Sequence, residues 1–143
     1  MPTYTPRNVL ITGGAGFIGC HFVRYLLGTD PHVRIVNLDL LTYAGSLANL
    51  QELPDPNRHT VIPGDISNHT LVEHLLREYA IDTIVHFTTQ SHVDRSITSP
   101  AAFTQTNVVG TFTLVQHSRS ITCRFAFLQQ HYPIVLFEEG IGF

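Results

Sequence analysis

The chain begins with two kinds of apolar pattern placed one after the other. Residues 8–12 (NVLIT) form a short β-branched and apolar run closed by glycines, and this pattern predicts a buried strand. The strand and the tight turn after it are followed by a predicted helix, because apolar residues recur there at helical spacing. These residues are Phe17, Ile18, Phe22, Val23, Leu26 and Leu27.

The same alternation continues along the chain. We predict further strands at residues 33–38, 60–62 and 81–87 and further helices at residues 46–53, 71–79 and 101–118. Thr70 and Glu73 have capping-box spacing at the start of the second long helix. Strands that alternate with helices in this way indicate an α/β fold, with a Rossmann-like doubly wound parallel sheet covered on both faces.

The pattern weakens in the last part of the chain. Residues 124–128 are a candidate fifth strand, but residues 129–133 and 140–143 resemble neither a helix nor an ordinary domain end. We therefore expect one partial domain over residues 8–120, with a sheet truncated after about five strands, and an atypical tail over residues 121–143. A truncation, an alternative splice form or a frame change in a longer protein would each produce such a tail.

The composition is that of a soluble globular protein. Of the 143 residues, 43% are hydrophobic and 13% are charged, which is enough apolar surface for one buried core. The net charge is -3 and there is no basic run, so nucleic acid is not an expected partner. We expect no membrane association either, because no apolar run approaches the roughly 20 residues that span a bilayer.

The cysteines and histidines indicate neither disulfides nor a metal site. Cys20 and Cys123 are the only cysteines and lack a C-x-x-C spacing, which fits a protein of the reducing cytoplasm. Nine histidines are many for this length, but His69 and His74 are off a single helix face and no carboxylate cluster completes a ligand set. We therefore assign no metal. His86, within the predicted fourth strand, is expected to be partly buried and hydrogen-bonded.

A glycine-rich turn separates the first predicted strand from the first predicted helix. Residues 14–19 (GAGFIG) satisfy G-x-G-x-x-G, and Gly13 extends the match to G-x-x-G-x-x-G. Without side chains there, a pyrophosphate can reach the backbone N–H groups at the positive end of the helix. Asp39 follows Gly19 by 20 residues, where a carboxylate can accept both hydroxyls of an adenosine ribose and would repel a 2′-phosphate. The pattern predicts a dinucleotide site that prefers NAD to NADP; the alternative is that the glycines only permit a turn and the aspartate only ends a strand.

Two more segments follow strand ends, at the edge where open α/β sheets bind ligands. Asp65 would meet the adenine after the third strand, or else Asp65, Ser67 or Asn68 would bind free N–H groups of the next helix. Residues 87–91 should approach the ribose and nicotinamide. The polar residues within 92–95 (HVDR) would form either a surface ion pair or part of the site.

Four stretches carry a family resemblance. They are residues 11–19 (ITGGAGFIG), 39–45 (DLLTYAG), 91–97 (SHVDRSI), and 100–103 (PAAF) with 106–111 (TNVVGT). The first is similar to the fingerprint of the extended short-chain dehydrogenase/reductase superfamily. The combination resembles the dTDP-glucose 4,6-dehydratase family over roughly residues 8–118, and SHVDRSI is far more specific than the glycine turn.

The resemblance implies NAD contacts from the residues that match the motifs. These are Gly13, Gly16, Phe17, Ile18, Gly19, Asp39, Leu40, Leu41, Thr42, Asp65, Ile66, Phe87, Thr88, Thr89, Gln90, Ser91 and Thr106, with Ser91 also near the sugar nucleotide. The chain departs from the family pattern at Leu40, where Lys is frequent, and at residues 88–90 (TTQ), where Ala-Ala-Glu is usual. Related UDP-glucose enzymes have Gln at the position of Gln90.

The activity that the resemblance implies converts dTDP-glucose to dTDP-4-keto-6-deoxyglucose and water. NAD⁺ takes hydride from the sugar C4 while a tyrosine removes the hydroxyl proton, an Asp-Glu pair helps water to leave across C5 and C6, and hydride returns to C6. The catalytic Tyr and Lys and the Thr-Asp-Glu run belong downstream of the matched region. We therefore assign no catalytic residue, expect no C-terminal substrate domain and no activity in this chain alone, and expect a homodimeric parent enzyme.

Two other functions stay open. The parent could be another extended short-chain enzyme, such as a UDP-sugar dehydratase or epimerase, or the chain could be a non-enzymatic nucleotide-binding module. The nucleotide preference of the longer enzyme distinguishes a UDP-sugar dehydratase or epimerase from a dTDP-glucose dehydratase. Retained NAD binding without turnover would indicate the second.

Overall fold

A computed structural model of the chain describes residues 5–41, 46–87, 109–120, 124–129 and 132–137. The strands are β1 (Asn8–Thr12), β2 (Arg34–Asp39), β3 (His59–Pro63), β4 (Thr83–His86), β5 (Arg124–Gln129) and β6 (Tyr132–Phe137). The α-helices are α1 (Phe17–Thr29), α2 (His69–Glu78) and α3 (Thr111–Ser120). Two short 3-10 helices, Leu47–Leu50 and Pro56–Arg58, lie between β2 and β3.

The strands form one sheet in the order β3-β2-β1-β4-β5-β6. The first five strands of the chain are parallel, and β6 runs antiparallel to β5. The strand order reverses between β1 and β4, where Thr12 pairs with both Leu38 and His86 and the strand ends are level. The predicted α/β fold with a doubly wound parallel sheet is confirmed.

Alternate residues of the strands feed two apolar cores, one on each face of the sheet. On one face, α1 packs Val23 and Leu27 against residues such as Val9 and Ile35. On the other face, α2 and α3 cover Leu10, Val36, Leu38 and Ile84 with Val72, Leu75, Leu76 and Leu114. Burying each of these side chains contributes about 1.5–3 kcal/mol, so the sheet holds both helix layers firmly.

The structure corrects three local predictions. The helix α2 is capped by Asn68, whose Oδ1 accepts the N–H of Leu71 at 3.1 Å, rather than by a capping box built on Thr70. Residues 46–53 contain only a single 3-10 turn, which fits a segment stopped at Pro54. The sequence did not predict β6.

The remaining helix prediction, residues 101–118, is met from Thr111 onward, and residues 101–108 lie outside the described residues. Within the described part of the chain, no helix is long and apolar enough to cross a membrane.

Candidate functional site

The glycine turn between β1 and α1 is fastened to the end of β2 by three consecutive backbone N–H groups. The N–H of Gly13 donates to the Leu38 carbonyl at 3.1 Å, and the N–H of Gly14 donates to Asn37 Oδ1 at 3.0 Å. The N–H of Ala15 then donates to a carboxylate oxygen of Asp39 at 3.0 Å. Gly13 has a φ of 72°, a conformation that glycine adopts without strain. These three bonds hold the turn against the end of β2.

Asp39 joins this turn to the segment that follows β2. Its Oδ2 accepts the N–H of Ala15, and its Oδ1 accepts the N–H of Leu41 at 2.8 Å. The residue is only 8% exposed, so these two bonds compensate for much of the lost hydration of the carboxylate. Each carboxylate oxygen has two lone pairs, so both oxygens keep acceptor capacity for hydroxyl groups. Leu41 has a φ of 56°, which turns the backbone sharply beside the carboxylate.

A second clamp holds the other side of the turn. The carbonyl of Ala15 accepts the N–H of Ser46 at 3.1 Å and the side-chain amide of Asn49 at 2.7 Å. Arg24 of α1 donates in turn to the carbonyls of Asn49 and Gln51. The glycine turn is thus fixed between β2 and the segment that begins at Ser46.

The hydrogen-bond donors that remain for a ligand are the backbone N–H groups in the first turn of α1. Gly16 donates its own N–H to the Gly13 carbonyl, and as the N-cap residue it has no side chain to cap the helix. The first N–H groups of an α-helix have no partner within the helix and carry its positive end. Phe17 and Ile18 are 77% and 37% exposed, so their side chains stand at this end instead of entering the core. An anion is the ligand chemistry that this end of α1 favours.

Two glycines allow the turn to pack this closely. A Cβ at Gly19 would collide with the carbonyl oxygen of Gly13 and lie 2.8 Å from Gly14 Cα. A Cβ at Gly14 would lie 2.5–2.6 Å from the side chain of Asn37, which is fully buried. Glycine at these two positions therefore allows α1 to pack directly against the ends of β1 and β2.

The segment after β3 makes local bonds. Asp65 Oδ1 accepts the N–H of Ser67 at 2.9 Å and its hydroxyl at 2.7 Å, and Asn68 caps α2. Of these contacts, only that of Asn68 is with an N–H group of α2, whereas Asp65 bonds to Ser67 before the helix begins. The side chain of Ile66 is buried in the core between the sheet and α2, which leaves only its backbone available to a ligand.

The end of β4 lies beside the end of β1. His86 is fully buried, its Nδ1 is hydrogen-bonded to Thr12 Oγ1, and its Nε2 lies 2.9 Å from Thr111 Oγ1 at the start of α3. Burial lowers the pKa of His86 to about 4, so the imidazole is neutral at pH 7. Phe87 donates its N–H to the Thr12 carbonyl and packs its ring 5.3 Å from that of Phe22.

The structure describes some of the predicted site residues and not others. The structure brings the glycine turn, Asp39, the partly exposed Leu40 and Leu41 together at the carboxyl ends of β1 and β2. Asp65, Ile66 and Phe87 are described as well, after β3 and after β4. The other predicted residues, Thr42, Thr88, Thr89, Gln90, Ser91 and Thr106, lie outside the described residues, as do residues 92–95.

Sequence reasoning missed Asn37, Ser46 and Asn49, which shape the glycine turn. A polar residue inside an apolar strand was the available signal for Asn37. Among the described residues there is no group of three or more His, Cys, Asp or Glu that could hold a metal ion.

Comparison with known proteins identifies the family to which the chain belongs. The family model for GDP-mannose 4,6 dehydratase matches residues 10–130. The dTDP-glucose 4,6-dehydratase of Xanthomonas campestris pv. campestris is 50% identical over 110 residues, which are 77% of this chain and 31% of that protein. A trifunctional Arabidopsis thaliana protein with UDP-glucose 4,6-dehydratase activity is 43% identical over 120 residues, 81% of this chain and 17% of that protein.

A solved structure agrees with the fold. The dTDP-glucose 4,6-dehydratase DesIV of Streptomyces venezuelae, crystallised with NAD bound, superposes with a TM-score of 0.73 and 49% identity. The match covers 81% of this chain and 37% of that one, so the chain spans about a third of the length of the two dTDP-glucose 4,6-dehydratases. With a family model that matches most of its residues, the chain belongs to the GDP-mannose 4,6 dehydratase family.

Proposed function

We propose that this chain is the NAD-binding part of a sugar-nucleotide 4,6-dehydratase. The observation that carries the proposal is the bond between Asp39 and Ala15, which fixes a carboxylate beside the glycine turn and next to the free end of α1. Asp39 is suited to accept the adenosine ribose hydroxyls, and the N–H groups of Phe17 and Ile18 are suited to a pyrophosphate. NAD bound by these residues would supply the hydride acceptor that the proposed reaction needs.

The same geometry selects against a phosphorylated ribose. A 2′-phosphate would lie against a carboxylate that is 8% exposed and held in place by two N–H groups. The phosphate and the carboxylate of Asp39 would repel each other strongly, because little water screens charges at a buried site. We therefore propose NAD, and not NADP, as the cofactor.

We predict that Asp39→Asn weakens NAD binding by about 1–3 kcal/mol, the value of a charge-assisted hydrogen bond, and narrows the preference for NAD over NADP. Asparagine keeps an oxygen for one of the two N–H groups but loses the charge. Isothermal titration of the 143-residue chain with both dinucleotides measures the two effects.

Asp30→Asn is the matched control. Asp30 also accepts a backbone N–H, from His32 at 2.8 Å, but it lies before β2, at the opposite end of that strand from Asp39. Thermal melts of both variants verify folding. Equal NAD affinity in the wild-type chain and Asp39→Asn would refute the proposed ribose contact.

For the longer protein, the proposed reaction is dTDP-glucose to dTDP-4-keto-6-deoxyglucose and water. The similar dehydratases are matched over only 31% of their length, so the 143-residue chain alone is expected to form no 4-keto-6-deoxy product. Mass spectrometry of the sugar nucleotide, for loss of water, checks this. Turnover by the purified chain would show that it carries catalytic residues that we have not assigned.

A second candidate substrate is UDP-glucose, which is favoured by the 43% identity to the plant UDP-glucose 4,6-dehydratase. An assay of the longer protein with dTDP-glucose and UDP-glucose present together shows which of the two is dehydrated faster, and therefore whether thymine or uracil is preferred. We further propose that the longer protein is a cytoplasmic homodimer, in keeping with the family resemblance and with the lack of cysteine spacing typical of exported proteins.

A further inference from the structure

Two histidines that are 48 residues apart in the sequence meet where α2 and α3 lie side by side. His69 Nδ1 is 3.2 Å from His117 Nε2, and the ring centroids are 5.3 Å apart with the planes at 62°. His69 is the first residue of α2 and is exposed, whereas His117 on α3 is half-buried. Solvent and small ions can therefore reach the pair.

Thr113, one turn before His117 on α3, determines which nitrogen of His69 carries the hydrogen. The Thr113 hydroxyl donates to the Val109 carbonyl at 2.9 Å, so it can only accept from His69 Nε2, which lies 3.4 Å away. In neutral His69, Nε2 therefore carries the hydrogen and Nδ1 is a bare lone pair. The bond between the two rings is then donated by His117 Nε2.

We propose that His69 and His117 form a two-histidine chelate for a divalent transition-metal ion such as Zn²⁺. The ion would bind His69 Nδ1 and His117 Nε2 in place of the hydrogen bond between them. The hydrogen of His117 would then be carried by Nδ1 of the same ring. Zn–N bonds of about 2.0–2.1 Å at a tetrahedral angle place two ligand nitrogens about 3.3 Å apart, close to the spacing in this pair. Water would complete the coordination.

The surroundings of His69 are those of a metal-binding histidine. Such residues donate their second ring N–H to a neighbouring acceptor, which fixes the tautomer and the ring orientation. Thr113 supplies that acceptor, and it is fully buried, so it is held in place by the packing of α3. The two nitrogens already lie near the spacing that a shared ion needs, so binding requires the rings to turn but not the helices to move apart.

The proposed metal site is separate from the proposed dinucleotide site. The helices α2 and α3 cover one face of the sheet, whereas α1 covers the other and the glycine turn lies at the carboxyl ends of β1 and β2. A bound ion would link α2 to α3 and stabilise the folded chain, because the unfolded chain does not hold the two rings together. NAD affinity should not depend on either histidine.

Titration of the 143-residue chain with Zn²⁺ at about pH 7.5 tests the proposal, because metal ions and protons compete for the ring nitrogens and binding is favoured above acidic pH. We expect His69→Ala and His117→Ala each to weaken Zn²⁺ binding by about tenfold or more, because each leaves a single imidazole in place of a chelate. His74→Ala, at another exposed histidine of α2, is the matched control and should bind Zn²⁺ as the wild-type chain does. Melts without zinc verify that all variants fold.

Nitrogen NMR of the imidazole rings gives a second readout that needs no variant. On addition of Zn²⁺, coordination shifts should appear at Nδ1 of His69 and Nε2 of His117. Equal zinc affinity in the wild-type chain and His117→Ala would overturn the proposal. So would an equal loss in His74→Ala, or coordination through Nε2 of His69.

Discussion

Replacing Gly19 by alanine is expected to lower the free energy of unfolding by about 3 kcal/mol and to abolish measurable NAD binding. The added Cβ would collide with the carbonyl oxygen of Gly13 and lie 2.8 Å from Gly14 Cα, and neither backbone atom can move aside alone. Relief requires α1 to shift away from the glycine turn, which costs packing energy as in other overfilled cores. The same shift moves the helix end that is proposed to bind the pyrophosphate.

Gly28→Ala is the matched control in the same helix. A Cβ there meets only Pro54 Cγ at 3.9 Å, an ordinary contact, so we expect a gain of about 0.5–1 kcal/mol from the better helix former. Denaturant unfolding of both variants measures the two effects. A Gly19→Ala chain as stable as the wild type would mean that the turn and the helix are less closely packed than described.

The free energy of unfolding is expected to fall by about 3 kcal/mol between pH 6.5 and pH 4 because of His86 alone. Burial lowers the pKa of His86 to about 4, whereas an unfolded histidine has a pKa of about 6.5. Between these values the unfolded state binds a proton that the folded state does not, so stability is full above pH 6.5 and is lost as the pH falls.

His86→Gln isolates this contribution. Glutamine does not titrate, and its amide can accept from one threonine and donate to the other, as neutral His86 does with Thr12 and Thr111. The difference in unfolding free energy between the wild-type chain and His86→Gln should therefore shrink by about 3 kcal/mol on acidification. His74→Gln, at an exposed histidine, serves as the control. A difference that stays constant with pH would contradict the prediction.

The sequence predicted those parts of the molecule whose cause is local. The apolar run of β1, the glycines after it and the position of Asp39 are tied to one another by short-range chemistry, and the structure brings all three together. The cap of α2 was misjudged because Asn68 and Thr70 both suit a helix start. Only the position of the first helical turn, which depends on packing, decides between them.

The parts that the sequence did not predict depend on contacts between distant segments. β6 follows β5 directly and antiparallel, whereas the alternating pattern leads one to expect a helix next. Pro133 within β6 also counts against a strand, although an edge strand such as this one tolerates proline. The meeting of His69 and His117 follows from helix packing, so the spacing of histidines along one helix could not reveal it.

The contact between Gly14 and Asn37 constrains the order in which mutations can accumulate. Asn37 is fully buried and fills the space where a Gly14 side chain would stand, so Gly14→Ala is tolerated only after Asn37 has become smaller. If Gly14→Ala occurs first, the new methyl group and the side chain of Asn37 clash. Losing Asn37 first removes the acceptor of the Gly14 N–H, so both routes begin with a cost. The two positions should therefore exchange as a pair in evolution and in laboratory libraries, and show strong epistasis.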